Sequence, residues 1–187
     1  MKSNITFKNI ALAIFLLASL PAIAAEPEKP VEPAAAEPAP LTLSVMGWIE
    51  DVIVYPGDMP FSAKLDTGTK TSSIDASNIE RFQDLDGKEW VRFTIQNQHG
   101  DRKTLEKPVE KWVRIKQKGG GYFQRPVVKM ALCVGNHYIE GKMNLSKRDD
   151  FQNPVLIGRN MLSKNVLVDS SMRHTSKPAC EITNEQN

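Results

Sequence analysis

From residue 43 onward, apolar and polar residues alternate in short runs that are separated by turn residues, a pattern typical of half-buried β-strands. The first strand is predicted to begin within 43–49 and to resume through 52–54. A Pro-Gly-Asp sequence then predicts a turn at 55–58. Further strands are predicted at 61–65, 72–74, 90–95, 111–118, 122–134, 138–145 and 166–169.

The remaining pattern leaves little room for helices. Only residues 159–163 can form a short helix before the last strand. Three consecutive glycines at 119–121 separate two strand patterns and predict a β-hairpin. The sequence therefore predicts a mainly β fold, a small closed β-barrel with one short C-terminal helix.

The N-terminal pattern is different and predicts a signal peptide over residues 1–24. Lys2 and Lys8 precede an apolar run at 10–20, and Ala22 and Ala24 supply the small-x-small pattern of a cleavage site. We expect export, to the periplasm, and no stable membrane insertion after cleavage. The run is shorter than the roughly 20 residues of a membrane span; an uncleaved anchor is the alternative.

Composition divides the rest of the chain into two parts. Residues 25–40 are almost entirely Pro, Ala and Glu, which favours an extended linker rather than a core. Residues 41–187 are enough for one domain. The formal net charge of +2 disappears when Lys2 and Lys8 are removed with the signal peptide. The folded domain keeps only a small and scattered excess of basic over acidic residues, so we expect no nucleic-acid partner.

Two cysteines, Cys133 and Cys180, occur in the predicted exported chain. In an oxidising compartment they can form a disulfide that attaches the C-terminal tail to the strand containing Cys133. The alternative is two unpaired thiols. Neither cysteine belongs to a Cys-x-x-Cys motif, so redox catalysis is not expected.

The candidate chemistry lies at the end of the second predicted strand, in the sequence Asp66-Thr67-Gly68. A turn of this kind can hold a carboxylate among backbone amides, and Gly68 permits close approach of the backbone. The same three residues also occur in ordinary turns without function. A second stretch, PVLIGRNML at 154–162, runs from apolar residues into a glycine and the predicted helix.

The two stretches occur within a longer similarity. AKLDTGTKTSSI, VRIKQKGGGYFQRPVVKMALCVG, MNLSKRDDFQNPVLIGRNML and VLVDSS resemble the retropepsin-like aspartic peptidase family that carries the older label ATP-dependent zinc protease. The resemblance covers roughly residues 43–171. It implies an aspartic-type endopeptidase with a peptide or protein substrate, in which the apolar-apolar-Gly strand lies beneath the Asp-Thr-Gly turn.

The resemblance also implies roles for individual residues. Asp66 would activate the attacking water, and because peptidase chemistry of this kind uses two carboxylates, one Asp66 per chain implies a homodimer. Thr67 would keep the two turns in register. The residues expected to support the site are Thr67, Gly68, Ile157, Gly158 and Arg159.

Four basic residues near the motifs have alternative interpretations. Arg125 and Arg148 match positions that recur in the family, where ionic support is the favoured role, and binding of a carboxylate-bearing substrate is the alternative. Lys64 and Lys70 flank Asp66, and an ammonium group beside it would favour its ionised form and oppose the sharing of a proton. We expect both lysines to point into solvent.

No pattern supports a metal or nucleotide. The three histidines are far apart and form no His-Glu-x-x-His motif, and no phosphate-binding loop is present, so no cofactor and no metal ligand are expected. A metallopeptidase is therefore the third hypothesis. The second is a non-catalytic binding or regulatory module in the cell envelope that keeps the retropepsin fold.

Overall fold

A computed structural model describes residues 43–117, 119–148 and 151–181. The predicted signal peptide (1–24) and linker (25–40) lie outside the described residues. The elements in chain order are β1 (Ser44–Tyr55), β2 (Met59–Leu65), β3 (Ser72–Gln83), β4 (Glu89–Gln96), β5 (Arg102–Lys116), β6 (Tyr122–Val134), β7 (His137–Ser146), β8 (Val155–Ile157), α1 (Arg159–Leu162) and β9 (Val166–Arg173).

The strands close into two rings that share β3, β7 and β6. The first ring runs β1, β2, β8, β3, β7, β6 and closes because β6 also pairs with β1. The second runs β3, β4, β5, β6, β7 and closes through the pairing of β4 with β3. β9 lies parallel to β1 at the edge of the sheet. The predicted mainly β fold with one short C-terminal helix is confirmed.

Two predicted strands are much too short: β3 continues to Gln83 and does not end at residue 74, and β5 starts well before its predicted position. β5 begins at Arg102, not at residue 111, and is 15 residues long. Its first half pairs with β4 and its second half with β6, with a register shift between Val109 and Lys111. Pro108 stands where the strand changes partner, opposite Trp90. Because proline cannot donate to a ladder, it masked the first half of the strand in the sequence pattern.

The core lies inside the rings, and β2 shows how the alternation creates it. Phe61, Ala63 and Leu65 are buried, whereas Ser62 and Lys64 on the opposite face are partly exposed. Other strands add inward-facing apolar residues in the same way. The largest fully buried apolar side chains are Phe61, Phe93, Ile74, Ile95, Met130, Leu132, Met143, Leu145, Ile157 and Met161.

Within the part of the chain that the structure describes, no helix has the length and apolar character needed to cross a membrane.

The segment after β9 is attached to β1 by a buried carboxylate. Glu50 is fully buried, and it accepts hydrogen bonds from the backbone amides of Gly47 at 2.7 Å, Thr175 at 3.0 Å and Ser176 at 3.0 Å. Burial by itself raises the pKa of Glu50, but the hydrogen bonds from Thr175, Ser176 and Gly47 outweigh it, so its pKa lies below the usual value. The carboxylate therefore favours the attached position of the tail.

A disulfide joins the same tail to β6. Cys133 is bonded to Cys180 across a sequence separation of 47 residues. The amide of Ala179 donates to the carbonyl of Gly135 at 2.7 Å beside it. Of the two arrangements left open by the sequence, the structure contains the disulfide.

Candidate functional site

Asp66 lies on the turn that follows β2. Its amide donates to the carbonyl of Ile157 at 2.9 Å, and its carboxylate atom Oδ1 accepts the amide of Gly68 at 3.0 Å. A Cβ atom on residue 68 would be 3.2 Å from that oxygen, so the absence of a side chain permits the contact. The Asp66 side chain is 22% exposed. The turn thus holds one carboxylate oxygen while leaving the group accessible.

β8 supports this turn from below. It is inserted between β2 and β3, the two strands that enter and leave the turn. It pairs parallel with β2, with Leu65 opposite Ile157, and antiparallel with β3, with Ser73 opposite Leu156. Ile157 is fully buried. The structure therefore places the Val-Leu-Ile-Gly strand where the family resemblance implies it.

Gly158 makes the contact between β8 and the turn close enough for hydrogen bonding. A Cβ atom there would lie 2.8 Å from the carbonyl carbon and oxygen of Thr71 and 2.9 Å from the carbonyl oxygen of Thr69. The backbone of the turn accepts two further hydrogen bonds, from Arg159 to Thr69 at 2.9 Å and from Asn160 to Lys70 at 3.1 Å. Any side chain at Gly158 would separate these backbones.

Two supporting residues were not predicted from the sequence. The hydroxyl of Ser72, which is fully buried, accepts the amide of Gly158 at 2.9 Å and contacts the Asn160 side chain at 2.9 Å. Asn160 in turn donates to the carbonyl of Lys142 on β7 at 2.9 Å. The available signal was a serine in register with the inward-facing Ile74 and Ala76, because such a buried hydroxyl needs partners.

Arg159 reaches the turn with its side chain as well as its amide. Its guanidinium donates to the carbonyl of Thr67 at 2.7 Å. The side chain of Thr67 is exposed. The proposed role of Thr67 in aligning the Asp66 turns of two chains therefore stays a prediction. Arg159, by contrast, holds the turn within one chain through its hydrogen bond to Thr67.

Lys64 does not point away from Asp66, in contrast to the expectation for both flanking lysines. Its ammonium Nζ lies 3.6 Å from Asp66 Oδ2, although the Lys64 side chain is 43% exposed. The reason is the alternation of β2: residues two apart project from the same face of a strand. Lys70 forms no ion pair with a carboxylate in the described part of the chain.

A cleft of about 310 Å³ opens beside the turn. The hairpin of β5 and β6 forms one wall, and its tip contains Gly119, Gly120 and Gly121, all with positive φ between 83° and 103°. None of the described residues that line the cleft carries a carboxylate. These residues are Thr69, Thr71, Ser73, Val113, Ile115, Arg125, Asn144, Arg148 and Leu156.

The two arginines give the cleft its positive charge. Arg148 is only 8% exposed, and its guanidinium donates to Ser73 Oγ at 3.0 Å and to the carbonyl of Asn153 at 3.3 Å. Arg125 lies over the ring of Phe123, with its guanidinium carbon 4.9 Å from the ring centroid. Among the described residues, no carboxylate forms an ion pair with either guanidinium. Arg148 also lies over the ring of Phe151, with its guanidinium carbon 4.4 Å from the ring centroid.

Burial lowers the pKa of Arg148, and the charge of Arg125 adds to this effect while Asp75 and Asp66 oppose it. Burial also lowers the pKa of Arg125. Guanidinium groups nevertheless stay protonated at neutral pH. Each arginine thus carries an incompletely solvated positive charge that a bound carboxylate would stabilise.

The described residues do not fit a zinc site. No group of three His, Cys, Asp or Glu side chains among them lies close enough to hold a metal ion. His99 contacts a glutamine, His137 a serine and His174 an aspartate, each on a different part of the fold. The donors that zinc prefers are therefore not brought together.

Comparisons with known proteins agree with this architecture. A Legionella pneumophila protein of unknown function, Lpg0085, has a solved structure that matches with a TM-score of 0.62 and 29% identity, over 73% of this chain and 100% of that chain. Two curated relatives are named "Probable alpha-L-glutamate ligase". The Desulfotalea psychrophila protein is 33% identical over 114 residues, and the Shewanella halifaxensis protein is 33% identical over 112 residues.

The match to the ligases is partial. It covers 59% and 58% of this chain but only 24% of the length of each relative. The family model described as "Retropepsin-like aspartic endopeptidase RimB" matches residues 45–179, which include both the Asp66 turn and β8. This chain therefore belongs to the RimB-like family of retropepsin-like proteins.

Proposed function

We propose that the protein is an aspartic endopeptidase whose active form is a homodimer. The proposal rests mainly on the environment of Asp66. Its carboxylate is partly exposed on a turn that β8 supports, and Oδ1 accepts the amide of Gly68. One chain supplies one such carboxylate. A two-fold axis beside the turn would bring the second to it.

In the proposed reaction the two Asp66 carboxyl groups share one proton. The ionised group takes a proton from a water molecule, whose oxygen attacks the carbonyl carbon of the peptide bond, while the protonated group donates to the carbonyl oxygen. The C–N bond of the resulting tetrahedral intermediate then breaks, the leaving nitrogen receives a proton from one carboxyl group of the dyad, and a hydroxyl of the intermediate returns a proton to the other, which restores the dyad. Thr67 is proposed to keep the two turns in register.

The proposed substrate is an acidic peptide. Arg125 and Arg148 line the cleft beside Asp66, and no described carboxylate is paired with either. Guanidinium groups bind carboxylates through paired hydrogen bonds. The names of the curated relatives concern glutamate ligation, and a chain of glutamates is a ligand of this class. Arg125 is the better candidate, because Arg148 also holds Ser73.

The test compares hydrolysis of a peptide containing a run of glutamates with hydrolysis of the same peptide containing glutamines. We expect cleavage of the glutamate peptide, loss of cleavage in Asp66→Asn, and a decrease in kcat/KM of about 10- to 100-fold in Arg125→Gln. Arg114→Gln is the matched control. Arg114 also stacks on an aromatic ring of the hairpin, that of Tyr122, but is not among the residues lining the cleft.

Undiminished cleavage by Asp66→Asn would refute the mechanism. Equal cleavage of the two peptides, or equal losses in Arg125→Gln and Arg114→Gln, would refute the substrate class while leaving the mechanism standing.

A second candidate is a module that binds acidic chains without hydrolysing them. It is favoured by the match to a segment of longer proteins named as glutamate ligases. In this case the glutamate peptide would bind equally to the unaltered protein and to Asp66→Asn, with no cleavage by either, and the protein would be monomeric.

Export to the periplasm is also proposed, on the basis of the N-terminal pattern and the disulfide between Cys133 and Cys180. Cell fractionation combined with the mass of the recovered protein tests it. A chain that keeps residues 1–24 and is recovered with the cytosol would refute this proposal.

A further inference from the structure

Lys64 and Asp66 form the only pairing of opposite charges at the turn within the described residues. Lys64 projects from the face of β2 opposite the buried Leu65, and Asp66, the first residue after the strand, lies on the same side as Lys64. Lys64 Nζ is 3.6 Å from Asp66 Oδ2. Leu65 opposite Ile157 fixes the strand, so this proximity follows from backbone register.

The two oxygens of Asp66 therefore have different surroundings. Oδ1 accepts the amide of Gly68, whereas Oδ2 is approached by the Lys64 ammonium and receives no hydrogen bond from any described residue. Other positive charges are more distant from the carboxylate. Arg148 interacts with it electrostatically from the segment after β7, and Arg159 contacts the carbonyl of Thr67 from α1.

A dimer that joins two Asp66 carboxylates must overcome the repulsion of two negative charges. Without compensation, one carboxyl group takes up a proton when the chains associate, because like charges at contact distance cannot both stay ionised. An ammonium beside each carboxylate reduces this repulsion. Two such pairs would bring together two nearly neutral groups in place of two anions.

We propose that Lys64 is a positioning residue that supplies the counter-charge for Asp66, so that the two carboxylates can meet without first binding a proton. The inference rests on the proposed homodimer. Dimer assembly would then be nearly independent of pH between about pH 5.5 and pH 7.5, and hydrolysis, which needs one proton on the dyad, would increase only below that range, where proton uptake begins to strengthen the dimer.

Proton linkage makes this measurable. If association takes up one proton, the dimer Kd rises about tenfold for each pH unit. If no proton is taken up, Kd is constant. We expect Kd of the unaltered protein to change less than about threefold between pH 5.5 and pH 7.5, and Kd of Lys64→Met to rise by about tenfold or more over that range.

The experiment is sedimentation velocity over a concentration series at each pH, on the whole protein with its disulfide intact. Lys70→Met is the matched control, because Lys70 also flanks the turn but forms no ion pair with Asp66, and it should keep the Kd of the unaltered protein. Adding Asp66→Asn to Lys64→Met removes both carboxylates of the dyad. This double variant should regain a pH-independent Kd.

Each outcome is decisive. A Lys64→Met dimer with an unchanged, pH-independent Kd would overturn the counter-charge inference and leave the proposed peptidase intact. A Lys64→Met dimer that is weakened equally at every pH and not rescued by Asp66→Asn would show a structural role for Lys64 and would also overturn the counter-charge inference. If the Lys64→Met variant does not fold, Lys64→Gln repeats the test. An unaltered protein that is monomeric at every concentration would overturn the proposed function and this inference together.

Discussion

Replacing Gly158 with alanine tests the support of the Asp66 turn directly. The backbone of Gly158 has φ −92° and ψ 179°, which alanine adopts without strain. The cost is therefore steric. The added Cβ would lie 2.8 Å from the backbone of Thr71 and 2.9 Å from that of Thr69, in a turn whose backbone is held by hydrogen bonds from the amides of Arg159 and Asn160.

The magnitude follows from the contacts that must separate. Three backbone amides donate hydrogen bonds across this junction: Gly158 to Ser72 at 2.9 Å, Arg159 to Thr69 at 2.9 Å, and Asn160 to Lys70 at 3.1 Å. Overpacking and the weakening of these bonds together lower the free energy of unfolding by about 3 kcal/mol. For a domain of this size, Tm falls by about 10 °C.

Gly141→Ala provides the matched control. A Cβ atom there would also be too close to a neighbour, 2.6 Å from Cγ of Met161, but that neighbour is a flexible side chain. Repacking it costs about 1 kcal/mol. Urea unfolding and thermal melts of the two variants compare the costs under identical conditions. A Gly158→Ala protein that is as stable as Gly141→Ala would refute the argument that the backbone of the turn rests directly on residue 158.

Three further perturbations have expected outcomes. Folding lowers the pKa of Glu50, so its carboxylate stabilises the native state above the unfolded-state pKa of about 4.3, and this stabilisation is lost as pH falls through the lower pKa of the folded state. Glu50→Gln should therefore reduce the loss of stability on acidification, measured by urea unfolding between pH 3 and pH 6; an unchanged dependence of stability on pH would contradict this. Replacing both Cys133 and Cys180 with alanine should lower the free energy of unfolding by about 2 to 4 kcal/mol. A thiol assay on the unaltered protein, denatured without reductant, should find no free thiol; two free thiols would exclude the disulfide. Ser72→Ala leaves the amide of Gly158 without its acceptor and should cost about 1 to 3 kcal/mol, whereas a neutral effect would mean that the amide finds another partner.

The local chemistry of the site was predictable from the sequence because it depends on short-range patterns. The Asp-Thr-Gly sequence after a strand indicated the turn, and three apolar residues before Gly158 indicated a buried strand. The fold class followed from alternation, as in β2. Each of these signals lies within a few residues along the chain.

Features that depend on distant neighbours were missed or misjudged. Ser72 is 86 residues from Gly158, so its role as acceptor could not be read from either segment. Glu50 fell in the predicted break between 43–49 and 52–54, and its partners Thr175 and Ser176 are 125 and 126 residues away. Lys64 was expected in solvent because the sequence does not show that Asp66 continues the face of β2.

The position of β8 has a consequence for the timing of folding. The strands on either side of it enter and leave the turn near residue 66, but β8 itself is made much later in synthesis, and its pairings connect distant parts of the chain. Such non-local pairings form slowly, and chains fold as they emerge from the N-terminus. A nascent chain that ends before Gly158 carries Asp66 on a turn with no strand beneath it. The proposed hydrolytic capacity would therefore require almost the whole domain, because the strand that supports the turn comes near its end.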